Sequence, residues 1–215
     1  MTTTEYIFAY PFLWFGLLSL GLALCRMKMS KHKKRLLVAI ILLSIMSVTV
    51  QFYEKAYLFG ILQPLAVTLC FRLIFRLRTF HAFLVSLFIF VSGVLSEILY
   101  NHIIAGFHFE QALFYQQDDL TLTSNLMALH HLGLYFILHR FRLGFSFIAP
   151  SAENALKQPS FSRTWFILAI GLLFFLGMFN ISVYFTNHLL LPVTISFMVC
   201  WAVILFLSYR KELED

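Results

Sequence analysis

A single threading of this chain through a bilayer places fifteen of its sixteen Lys and Arg residues on one side. Seven apolar stretches alternate across the membrane, and the segments between them divide by charge. One side receives Arg26, Lys28, Lys31, Lys33, Lys34 and Arg35, then Arg72, Arg76 and Arg78. The same side takes Arg140, Arg142, Lys157, Arg163, Arg210 and Lys211. The other side keeps Lys55 together with Glu5, Glu54, Glu110, Asp118 and Asp119. Short cytoplasmic loops carry the excess of Lys and Arg, so the first side is read as the cytoplasm. The expected fold is all-α, a polytopic seven-transmembrane-helix bundle with its N-terminus outside and its C-terminus cytoplasmic.

Composition agrees with that class. A chain of 215 residues that is 60% hydrophobic and 12% charged departs from soluble domains, which are nearer half apolar and about a quarter charged. The net charge of +6 does not point to nucleic acid, because the basic residues flank apolar spans instead of forming a patch on a folded module. There they meet lipid headgroups, so the lipid bilayer is the first expected partner and the cell membrane the expected location, as a multi-pass protein. Cys25, Cys70 and Cys200 lack the paired spacing of a zinc or redox site and are read as small hydrophobes. The first apolar run, Tyr6 to Cys25, exceeds a signal-peptide core in length and is followed by a basic block, so it is read as a retained span.

Helices are expected at about 6–25, 35–53, 57–75, 81–104, 121–139, 164–184 and 189–208 of one integral-membrane domain, 1–215. Each is about 18–24 residues, enough at 1.5 Å per residue to cross a core near 30 Å. Helices are required because the bilayer core offers no water to backbone N–H and C=O groups. Glu54, Lys55 and Ala56 imply a tight outer hairpin between the second and third helices; the alternative, a re-entrant pair, would put Arg72, Arg76 and Arg78 outside. In the outer segment 105–120, Phe107, Phe109, Phe114 and Tyr115 are placed at the headgroup level. The inner segment 140–163, with Gly144, Pro150 and Pro159, is read as a surface turn or short interfacial helix.

Polar residues within apolar helices are costly, and their positions nominate a site. The second helix carries Ser44, Ser47, Gln51 and Glu54 on one face, and the fourth carries Ser86, Gly93, Glu97 and Asn101. Gln51, Glu97 and Asn180 each lie about 24 Å from the cytoplasmic start of their helices. Gln63 reaches a similar level from the opposite end, directly before Pro64. A small cavity open to the exterior accounts for the shared depth, with Gln51, Gln63, Glu97, Asn101 and Asn180 as its ligand-binding residues. Interhelical hydrogen bonds of about 0.6 kcal/mol each are the alternative account of Gln51, Gln63 and Asn180. Glu97 is harder to place without purpose, and Asn101, His102 and Gln51 are its expected partners.

No enzyme is expected. HExxH, paired carboxylates, a usable nucleophile with its base, and a phosphate-binding loop are all missing from the sequence. His130 and His131 are adjacent and point about 100° apart on a helix, which argues against a shared metal. No cofactor and no metal are expected.

The segment from Leu36 to Asn101 resembles the N-terminal membrane module of accessory-gene-regulator-type bacterial sensor histidine kinases. The matching features are a basic loop, then a helix with Ser44 that ends at Gln51, a short outer turn, and a third helix containing Gly60. A basic inner loop with Arg76 then leads to a fourth helix ending in Ser96-Glu97. The specific likeness covers about a third of the chain. It implies an extracellular peptide or small-molecule ligand, a cytoplasmic kinase or regulator as partner, and a homodimer. The kinase portion has no counterpart in this sequence, so the resemblance implies a stand-alone relative or a detached sensor module. The reading is therefore a non-enzymatic sensor or signalling module. Its alternative is a small transporter, or transporter subunit, for a proton or small solute with Glu97 as the titrating group.

Overall fold

The computed structural model describes residues 3–53, 55–117, 121–145, 163–185 and 190–214. They form eight α-helices: α1 (Thr3–Leu24), α2 (Lys33–Phe52), α3 (Phe59–Leu73), α4 (Thr79–Ile104), α5 (Phe109–Gln117), α6 (Thr121–Phe141), α7 (Arg163–Phe185) and α8 (Leu190–Glu214). Single 3-10 turns precede α2 and α3, and the turn at Ala56–Leu58 closes the expected hairpin. The reading of segment 140–163 as a turn or interfacial helix falls mostly on 146–162, outside the described residues.

Six helical stretches are long and apolar enough to cross a membrane: α1, α2, α3 with its leading turn, α4, α7 and α8. α6 is not one of them, although it has 21 residues and corresponds to the fifth of the seven expected spans. Thr121, Thr123, Ser124, Asn125 and three histidines within it lower its hydropathy. The segment 105–120, expected as an aromatic surface loop, instead contains α5.

The helix ends sort by charge. The backbone N–H of Phe145, just after α6, donates to the Leu24 carbonyl at the end of α1. Arg26 Nε donates to the Gly144 carbonyl at 2.7 Å, and Arg72 donates to Thr79 across the α3–α4 connection. His32 meets Phe75 and Phe80 stacks on Phe166. These contacts gather the C-terminal ends of α1, α3 and α6 with the N-terminal ends of α2, α4 and α7. At the opposite end Tyr10 meets Phe59, Tyr57 meets Phe185 and His102 meets Phe109.

Three helices close at the basic end on an arginine in the left-handed region: Arg26 (φ 53°), Arg76 (φ 61°) and Arg142 (φ 55°). The next residue then caps the helix, with Met27 N–H donating to the Leu22 carbonyl and Leu143 N–H to that of Leu138. A side chain in this conformation costs about 1–2 kcal/mol relative to the right-handed helical region. A cation beside the negative end of the helix dipole offsets about 0.3–1 kcal/mol of it.

α4 is the central helix, with 67% of its span buried, whereas α8 has 22% and lies at the periphery. Trp14 joins three helices from α1. Its indole N–H donates to Ser47 Oγ on α2 at 3.0 Å, and its ring meets Phe90 of α4 edge-on. Many hydroxyls are absorbed locally: Ser19, Thr49, Thr68, Thr194 and Ser208 each donate to the carbonyl four residues earlier. Close helix crossings use glycine. A Cβ on Gly16 would stand 2.7 Å from the Ala128 carbonyl of α6, and one on Gly177 would stand 2.8 Å from Ile61 of α3.

Candidate functional site

A cavity of about 100 Å³ opens between the helices at the end opposite the arginine clusters. Its position follows from where the polar residues fall along each helix. Gln63 stands one turn into α3, Glu97 and Asn101 occupy the last two turns of α4, and Asn180 lies near the end of α7. All four line the cavity. Glu97 and Asn101 are four residues apart and share one face of α4.

Gln51 does not line it. α2 packs against α1 and α3, on the outside of the helices that wall the cavity, so the equal depth of Gln51 does not bring it in. The second helix's polar face serves α1 instead, through the Trp14–Ser47 hydrogen bond.

α6 supplies residues that the sequence reading passed over. Thr123 and Ser124 line the cavity. Thr123 is buried and donates to Asn101 Oδ1 at 2.6 Å, which fixes the Asn101 amide and leaves its NH₂ as donor. Further along α6 the α4–α6 seam carries more polar pairs. Tyr100 OH and His130 Nδ1 lie 3.0 Å apart. His131 is fully buried and donates from Nδ1 to the Met127 carbonyl at 2.6 Å. In a neutral ring that leaves Nε2 as the acceptor for the Ser92 hydroxyl, 3.2 Å away. His102, expected beside Glu97, points its Nδ1 to the Ile98 carbonyl at 2.9 Å.

Tyr10 of α1, Phe59 of α3, Phe90 of α4 and Tyr184 of α7 add an aromatic wall. Tyr115 and Gln116 bring α5 to the cavity, and the neighbouring Gln117 Nε2 donates to the Val183 carbonyl at 2.6 Å, tying α5 to α7. Towards the basic end the space closes: Leu18, Phe71, Leu84 and Val85 are fully buried and fill the bundle interior.

Among the described residues, no group of three or more His, Cys, Asp or Glu side chains is gathered for a metal ion. The three cysteines are free thiols. Cys25 at the end of α1 is completely buried. What the arrangement can do chemically is bind: one carboxylate, four amides, hydroxyls and rings face a small space that is walled by six helices. The sequence matches no protein-family model, and comparisons with curated proteins and with solved structures find no match.

Proposed function

We propose that this chain is a seven-span cell-membrane protein of sensor type that binds an extracellular ligand in the cavity walled by α1, α3, α4, α5, α6 and α7 and passes the change to a cytoplasmic partner. The convergence of Gln63, Glu97, Asn101 and Asn180 from three helices on one cavity carries this reading. Such polar groups are expensive in lipid, and their convergence on one small space supports binding or switching there.

α6 is the seventh span on this reading. Thr123 and His131 turn inward and are buried against α4, while Leu122, Leu129, Phe136 and Ile137 face outward and are exposed. A helix of this kind is low in mean hydropathy yet presents a largely apolar outer surface, with exposed His139 and Arg140 at its basic end. Cytoplasmic placement of the arginine end follows from the charge rule and puts the cavity at the outer face.

Binding is favoured over passage by the packed apolar side chains beneath the cavity, among them the fully buried Leu18, Phe71, Leu84 and Val85. A ligand acts by binding one helix arrangement more tightly than another. α3 is the natural lever, since it carries Gln63 at the cavity and leads directly to the Arg72–Arg78 segment at the other end.

Crosslinking in native cells followed by affinity capture tests the reading. Enrichment of a cytoplasmic histidine kinase or response regulator with the chain is the expected result. Capture of transport subunits with no signalling protein overturns it in favour of transport.

A further inference from the structure

The make-up of the described lining names the class of ligand the cavity takes. Glu97 brings a carboxylate to it, among aromatic and apolar side chains. A carboxylate in a poorly solvated site is stabilised by a cation, because Coulomb attraction grows as the effective dielectric falls. The remaining wall separates organic from inorganic cations. Hard metal ions seek shells of six or more oxygens. Here five aromatic rings, from Tyr10, Phe59, Phe90, Tyr115 and Tyr184, stand among the oxygens, with Leu13 and Met127 beside them. Ring faces attract ammonium groups, and apolar walls gain from methyls that an inorganic ion lacks.

We propose that the cavity binds a compact organic cation, an ammonium or quaternary ammonium group held by the Glu97 carboxylate inside the ring of Tyr and Phe side chains. This rests on the reading of the cavity as a ligand site and deepens it. The volume of about 100 Å³ corresponds to a few water molecules at roughly 30 Å³ each, which suits a headgroup and not a whole peptide. Such a group comes either as a free amine or as the headgroup of a lipid, and the Asn101, Gln63 and Asn180 amides serve the polar remainder of either.

Ser124, half-buried in the lining, is the reporter position. The full chain carrying Ser124→Cys is placed in phosphatidylglycerol nanodiscs and treated with a methanethiosulfonate bearing a trimethylammonium group or one bearing a sulfonate. Rates are normalised to Gln111→Cys on exposed α5, which removes the effect of the anionic surface, and the unsubstituted chain corrects for the native thiols. The cationic reagent is expected to react faster by roughly tenfold after normalisation. Choline slows it, whereas the uncharged isostere 3,3-dimethylbutanol does not, and Glu97→Gln brings the two reagents together. Slowing in phosphatidylcholine nanodiscs without added choline identifies the headgroup as the source. Slowing only by added choline identifies a free amine.

Equal normalised rates, or no change on Glu97→Gln, overturn the cation assignment and leave the cavity as a site for a neutral ligand. Failure of both reagents to reach Ser124→Cys overturns the open cavity itself. Calorimetric titration of choline into the unsubstituted chain is the companion measurement, with affinity expected to fall by roughly tenfold in Glu97→Gln. Undiminished binding in that variant overturns the proposal even if Ser124→Cys does not fold.

Discussion

Gly60 of α3 lies against Asn180 of α7 so closely that a Cβ at position 60 would stand 2.6 Å from Asn180 Nδ2 and 2.6 Å from the Leu176 carbonyl. The side chain of Asn180 can turn aside, but the carbonyl belongs to the helix and can move only with it. The α3–α7 crossing therefore sets the position of two cavity residues, Gln63 and Asn180, through a backbone contact. Gly60→Ala is expected to push the helices apart and destabilise the protein by about 1–3 kcal/mol. Gly171→Ala on the same α7 meets nothing within 4 Å. It is expected to be neutral or to stabilise by up to about 1 kcal/mol, the ordinary gain of alanine over glycine in a helix. Thermal denaturation in detergent compares the two, and equal behaviour would refute the close crossing.

The orientation is tested by impermeant thiol labelling of intact cells. Gln111→Cys on α5 is exposed and is expected to label from outside. Lys28→Cys and Lys31→Cys, both outside the apolar spans at the basic end, are expected to label only after permeabilisation. The reverse pattern would invert the bundle and place the cavity on the cytoplasmic face.

Helix positions were legible in the sequence because a bilayer permits so few alternatives to a helix, and the expected ends agree with the observed ones within a few residues apart from the extended end of α8. α5 escaped because nine residues with mixed aromatic and polar character carry no clear period. The lining of the candidate cavity was legible in part through depth, which brought Gln63, Glu97, Asn101 and Asn180 to one level. Depth is a single coordinate, however, and says nothing of which helix neighbours which. Gln51 shares the level but sits on a helix that packs outside the wall. Thr123 was invisible for a different reason. Hydroxyls in apolar helices usually bond their own backbone, as Ser19 and Thr68 do, and nothing local marks the one that reaches Asn101 instead.

Trp14 and Ser47 offer a direct measure of what an interhelical hydrogen bond contributes in this bundle. Trp14→Phe keeps a ring against Phe90 and removes the donor, while Ser47→Ala removes the acceptor. A double-mutant cycle on unfolding free energy is expected to give a coupling of about 0.6 kcal/mol. Ser47→Ala alone should be the more harmful exchange for its size, because it strands a buried indole N–H. A coupling indistinguishable from zero would mean that α1 and α2 are held by packing alone.

Gln51 and Gln63 separate equal depth from shared cavity. Both are half-buried glutamines near the same level, on adjacent helices, and replacement of either by Leu removes one polar group from the membrane at similar cost. Gln63 lines the cavity and Gln51 does not. Gln63→Leu is therefore expected to weaken ligand binding by roughly tenfold, the effect of losing one polar contact of about 1–1.5 kcal/mol. Gln51→Leu is expected to leave affinity within about twofold while shifting stability only slightly. The measurement is choline protection of Ser124→Cys in each background, with unfolding followed in parallel so that folding losses are not read as binding losses. Equal loss in both variants would place α2 in the cavity wall and would require a different packing of α1, α2 and α3. No loss in either would reduce the convergence of polar side chains to interhelical bonding.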